Sequence, residues 1–258
     1  MNPTPLSQLG RTLPAALFAA ILSVAAPQAR AAEYPAMLDW SGRVTLTLPV
    51  SGVLQSVAAR AGQSVKKGEL LANLDSGLFK SGVAEARADM DRLSQEQADA
   101  TRDLERVSEL YARTVASTTE LDAARLRHAR ASSGLAAAQA RVERARQLLA
   151  DSELRAPFDA LVLQRHAEPG LVITSQCKPA AVLSVARSDQ LLARTRLDAA
   201  QARALKLGDA AEVVLAENSL KSQVSAISAS PDHHYEIEVT IPRIAGMLPG
   251  DSVMLRLY

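Results

Sequence analysis

The chain has 258 residues, 48% of them apolar but only 3% aromatic, with a formal charge of +1. Alanine supplies much of that apolar count, which favours closely packed helices and small aliphatic β modules over one large aromatic core. A near-neutral balance argues against nucleic acid as a partner, and one cysteine excludes an internal disulfide framework and any multi-cysteine metal site.

Residues 1–31 contain no acid, carry Arg11 ahead of an apolar run from Leu13 to Ala26, and end in Ala29-Arg30-Ala31. That pattern predicts an export signal cleaved before Ala32. The run is shorter than the roughly 20 residues a membrane span needs, and a lipoprotein would require a cysteine at the cleavage site, whereas the cysteine here is Cys177. Cleavage removes Arg11 and Arg30, two of the 29 basic residues, and leaves 27 against 28 acidic ones, a formal charge of −1.

Between Asp39 and Leu74 short β-rich runs alternate with turns: Val44 to Leu48, Gly52-Val53-Leu54, Val57, Val65 and Leu70-Leu71. The tracts Ala61-Gly62-Gln63-Ser64 and Lys66-Lys67-Gly68 supply glycine where a turn needs a positive φ. The period changes at Ser76. From Gly82 to Tyr111 a seam of Val83, Ala86, Met90, Leu93, Gln97, Ala100, Leu104, Val107 and Tyr111 recurs at spacings of three and four, with only Gln97 polar. Leu121, Ala124, His128, Ala131, Leu135, Ala138, Val142, Ala145 and Leu149 repeat it.

Large residues alternating with alanine let two helices approach closely, and the short joint from Ala112 to Thr119, rich in poor helix formers and Ser/Thr caps, requires them to run antiparallel. About 35 residues per arm at ~1.5 Å rise make a rod of roughly 50 Å. Strand character resumes at Leu154 and runs through Leu161-Val162-Leu163, Leu171-Val172-Ile173 and Ala181 to Val185, as if completing the module the chain had left. The last third mixes strands at Leu191 to Leu197, Ala211 to Leu215, Val224 to Ile227, Ile237 to Ile241 and Val253 to Tyr258 with one short helix near Ala199 to Leu205.

This order resembles the membrane fusion proteins, the periplasmic adaptors of tripartite efflux and secretion systems. Gly52-Val53, Gly62, Val65-Lys66-Lys67-Gly68 and Leu74-Asp75 are similar to the opening half of a biotinyl/lipoyl-type fold. Leu154-Arg155-Ala156-Pro157-Phe158-Asp159-Ala160-Leu161-Val162 with Glu168-Pro169-Gly170 is similar to its closing half, although Ala160, Ser175 and Gln176 stand where glycines are common. Leu207-Gly208, Ser228 and Leu248-Pro249-Gly250 resemble the family's terminal barrel.

The expected fold is mixed β and coiled coil: a split lipoyl-like barrel-sandwich module with an inserted antiparallel α-helical hairpin, followed by a β-barrel domain. The expected segments are a signal peptide (1–31), an N-terminal segment with the first half-module (32–75), the hairpin (76–152), the second half-module (153–187) and the barrel (188–258). So few residues precede the first lipoyl-like strand that the family's membrane-proximal domain is expected to be absent or minimal.

The hairpin tip carries Arg106, three residues, Leu110, six residues, Ser117, then Leu121-Asp122. The resemblance implies that this pattern docks to an outer-membrane channel protein. Arg106 can donate forked hydrogen bonds to a partner helix, Leu110 can supply apolar contact, and Ser117 can cap the second helix or bond across the interface. The plainer reading, a solvated arginine and an ordinary cap, stays open on the residues alone. The resemblance further implies an inner-membrane transporter, proton-driven or ABC type, a homo-oligomeric ring, and a periplasmic location reached through the cleaved signal and held at the inner membrane by the transporter.

Chemistry elsewhere is sparse. Lys80, weighed as a lipoyl or biotin acceptor, lies at a helix start rather than on a tight turn. His233-His234 beside Asp232 and Glu236 offers metal-ligand types, yet adjacent residues of a strand point apart, and a polar turn after Pro231 accounts for them. The one methionine left near the mature N-terminus, Met37, gives little support to copper or silver delivery. His128 sits on the seam without companions, and Cys177 lacks a neighbouring histidine and acid. With no phosphate loop and no Gly-x-Ser-x-Gly elbow, no catalytic residue, metal or cofactor is expected. A carrier protein with a modified lysine and a coiled-coil protein without a transport role are the competing readings.

Overall fold

The computed structural model describes residues 32–175, 179–215 and 218–258; the predicted export signal and Cys177 lie outside them. Five strands come first, β1 (Ala32–Trp40), β2 (Val44–Leu46), β3 (Gly52–Val57), β4 (Ser64–Val65) and β5 (Leu70–Leu74). Two long helices follow, α1 (Gly77–Ala112) and α2 (Thr118–Asp151). The chain then runs through β6 (Glu153–Arg155), β7 (Ala160–Arg165), β8 (Val172–Ile173), β9 (Leu183–Arg187) and β10 (Gln190–Leu197), a short α3 (Ala199–Ala202), β11 (Ala210–Leu215), β12 (Asn218–Ala229), β13 (Tyr235–Pro242) and β14 (Ser252–Leu257).

Strands β2 to β9 build two four-stranded sheets, ordered β2-β9-β7-β4 and β6-β5-β3-β8. Each contains strands from before and after the helices, so neither half can bury its apolar face alone. Their shared core holds Leu48, Leu54, Leu71 and Leu74 from the first half against Ile173, Val182 and Leu183 from the second, all essentially inaccessible. The strings that carry the lipoyl-like resemblance meet directly. The turn Lys66-Lys67-Gly68-Glu69, with Gly68 at φ +82°, is gripped by the second half: Arg155 Nη1 donates to the Gly68 carbonyl at 2.8 Å, Gly68 N–H donates to the Ala156 carbonyl at 2.8 Å, and the Asp159 carboxylate accepts from Lys67 N–H at 2.9 Å and from Lys66 Nζ at 3.2 Å. The Lys67 N–H first, then the Lys66 ammonium, hold the Asp159 carboxyl below its usual range.

The insertion is bracketed by one strand pair. Strands β5 and β6 are antiparallel neighbours, Leu70 opposite Arg155 and Asn73 opposite Glu153, so the two helices leave and re-enter the module side by side.

The remaining strands form a closed six-stranded barrel, β1-β10-β13-β12-β11-β14. The reading by chain order confined the barrel to residues 188–258, but β1 supplies a sixth strand from the segment ahead of the split module. It pairs with β14 from Ala32↔Leu257 to Met37↔Ser252 and with β10 from Met37↔Arg194 to Trp40↔Leu191. Its inward residues Ala36 and Leu38 are buried with Leu191, Ala193, Ile237, Val239, Ile241 and Leu255. Without β1 the edges of β10 and β14 would stand open, and closing the barrel satisfies both. No helix among the described residues is long and apolar enough to cross a membrane.

Candidate functional site at the hairpin tip

A two-helix layer has only one inner face, and the burial of α1 and α2 follows the predicted seam except at its last α1 position, Tyr111, which is exposed beside the tip. On α2, Leu121, Ala124, Ala131, Ala138 and Val142 are buried; on α1 only Val83 is fully so, with Met90, Leu93, Gln97, Ala100, Leu104 and Val107 half-buried. Small residues bring the helices close: a methyl group placed on Gly134 would lie 3.7 Å from Leu93 Cδ2. The polar seam residue Gln97 is satisfied within its own helix, its Nε2 donating to Thr101 Oγ1 at 3.1 Å. Two ion pairs cross between the arms, Asp89–Arg141 and Asp103–Arg127, both at 2.6 Å. They are two heptads apart on each helix, so they mark a single antiparallel register along the rod.

The far end is closed by backbone chemistry. Thr114 N–H donates to the Tyr111 carbonyl at 2.9 Å and Val115 N–H to the Leu110 carbonyl at 2.9 Å, the pair of bonds that defines a Schellman ending. Thr114 occupies its left-handed position at φ +59°, a place usually given to glycine and rare for a β-branched residue. Ser117 then opens α2 with a capping box: its Oγ accepts from Glu120 N–H at 3.2 Å, while Glu120 Oε2 accepts from Ser117 N–H at 2.7 Å and from its hydroxyl at 2.9 Å. These donors, the backbone one first, hold the Glu120 carboxyl below its usual range.

Arg106 and Leu110 lie one helical turn apart on α1, and Ser117 lies across the loop. The Arg106 side chain is 71% exposed and pairs with Asp103 one turn back. Asp103 is shared, since Arg127 reaches it from α2, and Arg127 first and Arg106 second pull its carboxyl down. Leu110 is 36% exposed and Val115 71%. The tip thus offers a guanidinium on a weak, solvent-screened tether beside uncovered aliphatic surface. Ser117 is already engaged in its cap. The sequence reading passed over Val115 and Thr114 as loop residues; with no glycine in Ala112-Arg113-Thr114-Val115, nothing signalled a left-handed turn there.

The other sequence candidates fall elsewhere. Lys80 is exposed on the first turn of α1. His128 is half-buried on the seam. His233 and His234 occupy the turn joining β12 to β13, where Ser230 N–H donates to the His234 carbonyl at 2.8 Å and His233 takes φ +65°. No cluster of three or more metal-ligating side chains occurs among the described residues. A cleft of about 890 Å³ crosses the barrel wall between β1, β10 and the turn at Pro249, lined by Met37, Asp39, Trp40, Arg43 and Arg194 among others. Burial there opposes the charge of Arg194, but Glu238, Glu236 and Asp39 outweigh it and raise its pKa. The cleft therefore carries a self-neutralised ionic cluster.

Residues 43–187, more than half of the chain, match the family described as CzcB-like, barrel-sandwich hybrid domain. The fold is shared with solved structures at low identity. The membrane fusion protein Spr0693 from Streptococcus pneumoniae is 12% identical with a TM-score of 0.66, over 88% of this chain and 98% of that one. A MacA-MexA chimera containing the Pseudomonas aeruginosa MexA α-hairpin domain is 17% identical with a TM-score of 0.65, over 88% and 80%. MacA from Actinobacillus actinomycetemcomitans is 16% identical with a TM-score of 0.52, over 88% and 78%. No curated protein matches the chain.

Proposed function

Since the chain belongs to the CzcB-like barrel-sandwich hybrid family, we propose that it is the periplasmic adaptor of a tripartite export pump, bridging an inner-membrane transporter to an outer-membrane channel through the tip of its hairpin. One observation carries the reading: α1 and α2 leave the split module across a single strand pair and end, roughly 50 Å away by helical rise, in a tip that exposes Arg106 and Leu110. A rod of that length buries little beyond its own seam, so its far end is available to a second protein. Arg106 would exchange its partner Asp103, which Arg127 also holds, for carbonyls or a carboxylate of the channel, and Leu110 would lose water against an apolar side chain. The barrel and the split module would face the transporter and neighbouring copies.

The test is the double substitution Arg106→Asp with Leu110→Asp. The variant should keep its circular dichroism spectrum and melting temperature while losing co-purification with the channel and export in cells. Export at the wild-type rate from the folded double variant would remove the tip from the mechanism.

A further inference from the structure

The most exposed large apolar residue at the far end is one the docking pattern omits. Val115 leaves 71% of its surface in water, beside Leu110 at 36% and Tyr111 at 40%. Single exposed aliphatics need no explanation, but this one is held out by a strained backbone. Thr114 adopts φ +59°, where its Cβ crowds the following carbonyl, and its hydroxyl steadies that conformation by donating to the Arg113 carbonyl at 2.7 Å. The reversal returns the chain onto the last turn of α1, so that Val115 N–H meets the Leu110 carbonyl at 2.9 Å. Two aliphatic residues distant by helical count are thereby anchored to one another at the point farthest from the module.

We propose that Val115 is a second apolar contact of the docking tip and that Thr114 is a positioning residue for it, an inference that rests on the adaptor reading above. Strained left-handed residues other than glycine persist where the surroundings over-determine them, and they concentrate at functional sites. A β-branched residue there has fewer alternative conformers than glycine, so the tip is ordered before a partner arrives and less freedom is lost on docking. The occupant is the outer-membrane channel of that reading, presenting an apolar side chain to Leu110 and Val115 and an acceptor to Arg106 one turn behind.

The experiment places a photoreactive phenylalanine analogue at position 110, 115 or 129 of the full chain in its own cells, position 129 being exposed on the shaft of α2. After irradiation the adducts are identified by mass spectrometry. Adducts to the same outer-membrane channel from 110 and 115, and none from 129, support the proposal. An adduct from 110 without one from 115 overturns it while leaving the adaptor reading intact; none from either position overturns both. In the 115-labelled chain, Thr114→Gly retains access to positive φ and should preserve the adduct, whereas Thr114→Pro, confined to negative φ, should abolish it. A wild-type adduct yield from the proline variant would refute the positioning role. Val115→Asp should weaken channel co-purification by about tenfold or more, the scale of a central contact, with an unchanged melting temperature, and unaltered co-purification would refute the contact.

Discussion

The barrel and the hairpin draw on the same aliphatic residues, yet they use them in opposite ways. In the barrel, Leu191, Ala193, Ile237, Val239, Ile241 and Leu255 are wholly sealed because six strands close around them. In the hairpin, two helices share one seam, and most of α1's seam residues stay half in water. The barrel therefore holds together by burial. The hairpin holds by register, through alternating small and large residues, two cross-arm ion pairs and a capped turn. A change in the first should unfold a domain, and a change in the second should alter the straightness or reach of a rod.

The largest effect expected on this contrast is Ile237→Ala, which should cost about 2–5 kcal/mol as a cavity in a sealed core, read by denaturant unfolding. Leu104→Ala on the half-buried seam should cost clearly less, and equal losses at the two sites would erase the distinction. Next comes Ala138→Leu, which adds volume at a fully buried position of the seam. Overpacking of about 1–3 kcal/mol is expected, confined to the helical signal in circular dichroism, and a simultaneous loss of the barrel's tryptophan signal from Trp40 would show that the two regions do not unfold separately.

The smallest effect concerns Asp103. Its folded pKa lies below the ordinary value because Arg127 and Arg106 bond to its ionised form. That contribution is present above the unfolded pKa of about 3.9 and is lost as pH falls through the lower folded value. Asp103→Asn should therefore weaken the hairpin at neutral pH and flatten its acid limb, a difference that high salt diminishes. An unchanged acid limb in the variant would mean that the shared ion pair contributes nothing to hairpin stability.

What could be read from the sequence follows the same division. The hairpin was legible almost residue by residue, because a 3.5-residue period is local and repeats over 36 and 34 residues. The split module was legible through its turns and strings, and the structure shows why those strings matter, since Arg155 and Asp159 grip the Lys66–Glu69 turn. Strand β1 was not assigned to the barrel, because its partners Leu257 and Arg194 lie more than 150 residues away and nothing in Ala32 to Trp40 announces them. At the tip, Arg106, Leu110 and Ser117 were singled out through the family resemblance alone, and the strain at Thr114 was not legible at all. A left-handed threonine is a property of backbone closure, invisible until the two helix ends are joined.

The pairing of β5 with β6 beneath the helices makes length a free parameter of this molecule. Heptads added in matched numbers to α1 and α2 would advance the tip by about 10 Å apiece without changing a single partner of Leu70 or Arg155. A lineage could thus retune the reach of the hairpin by duplication within the shaft alone, much as a telescoping strut is lengthened without redesigning its socket.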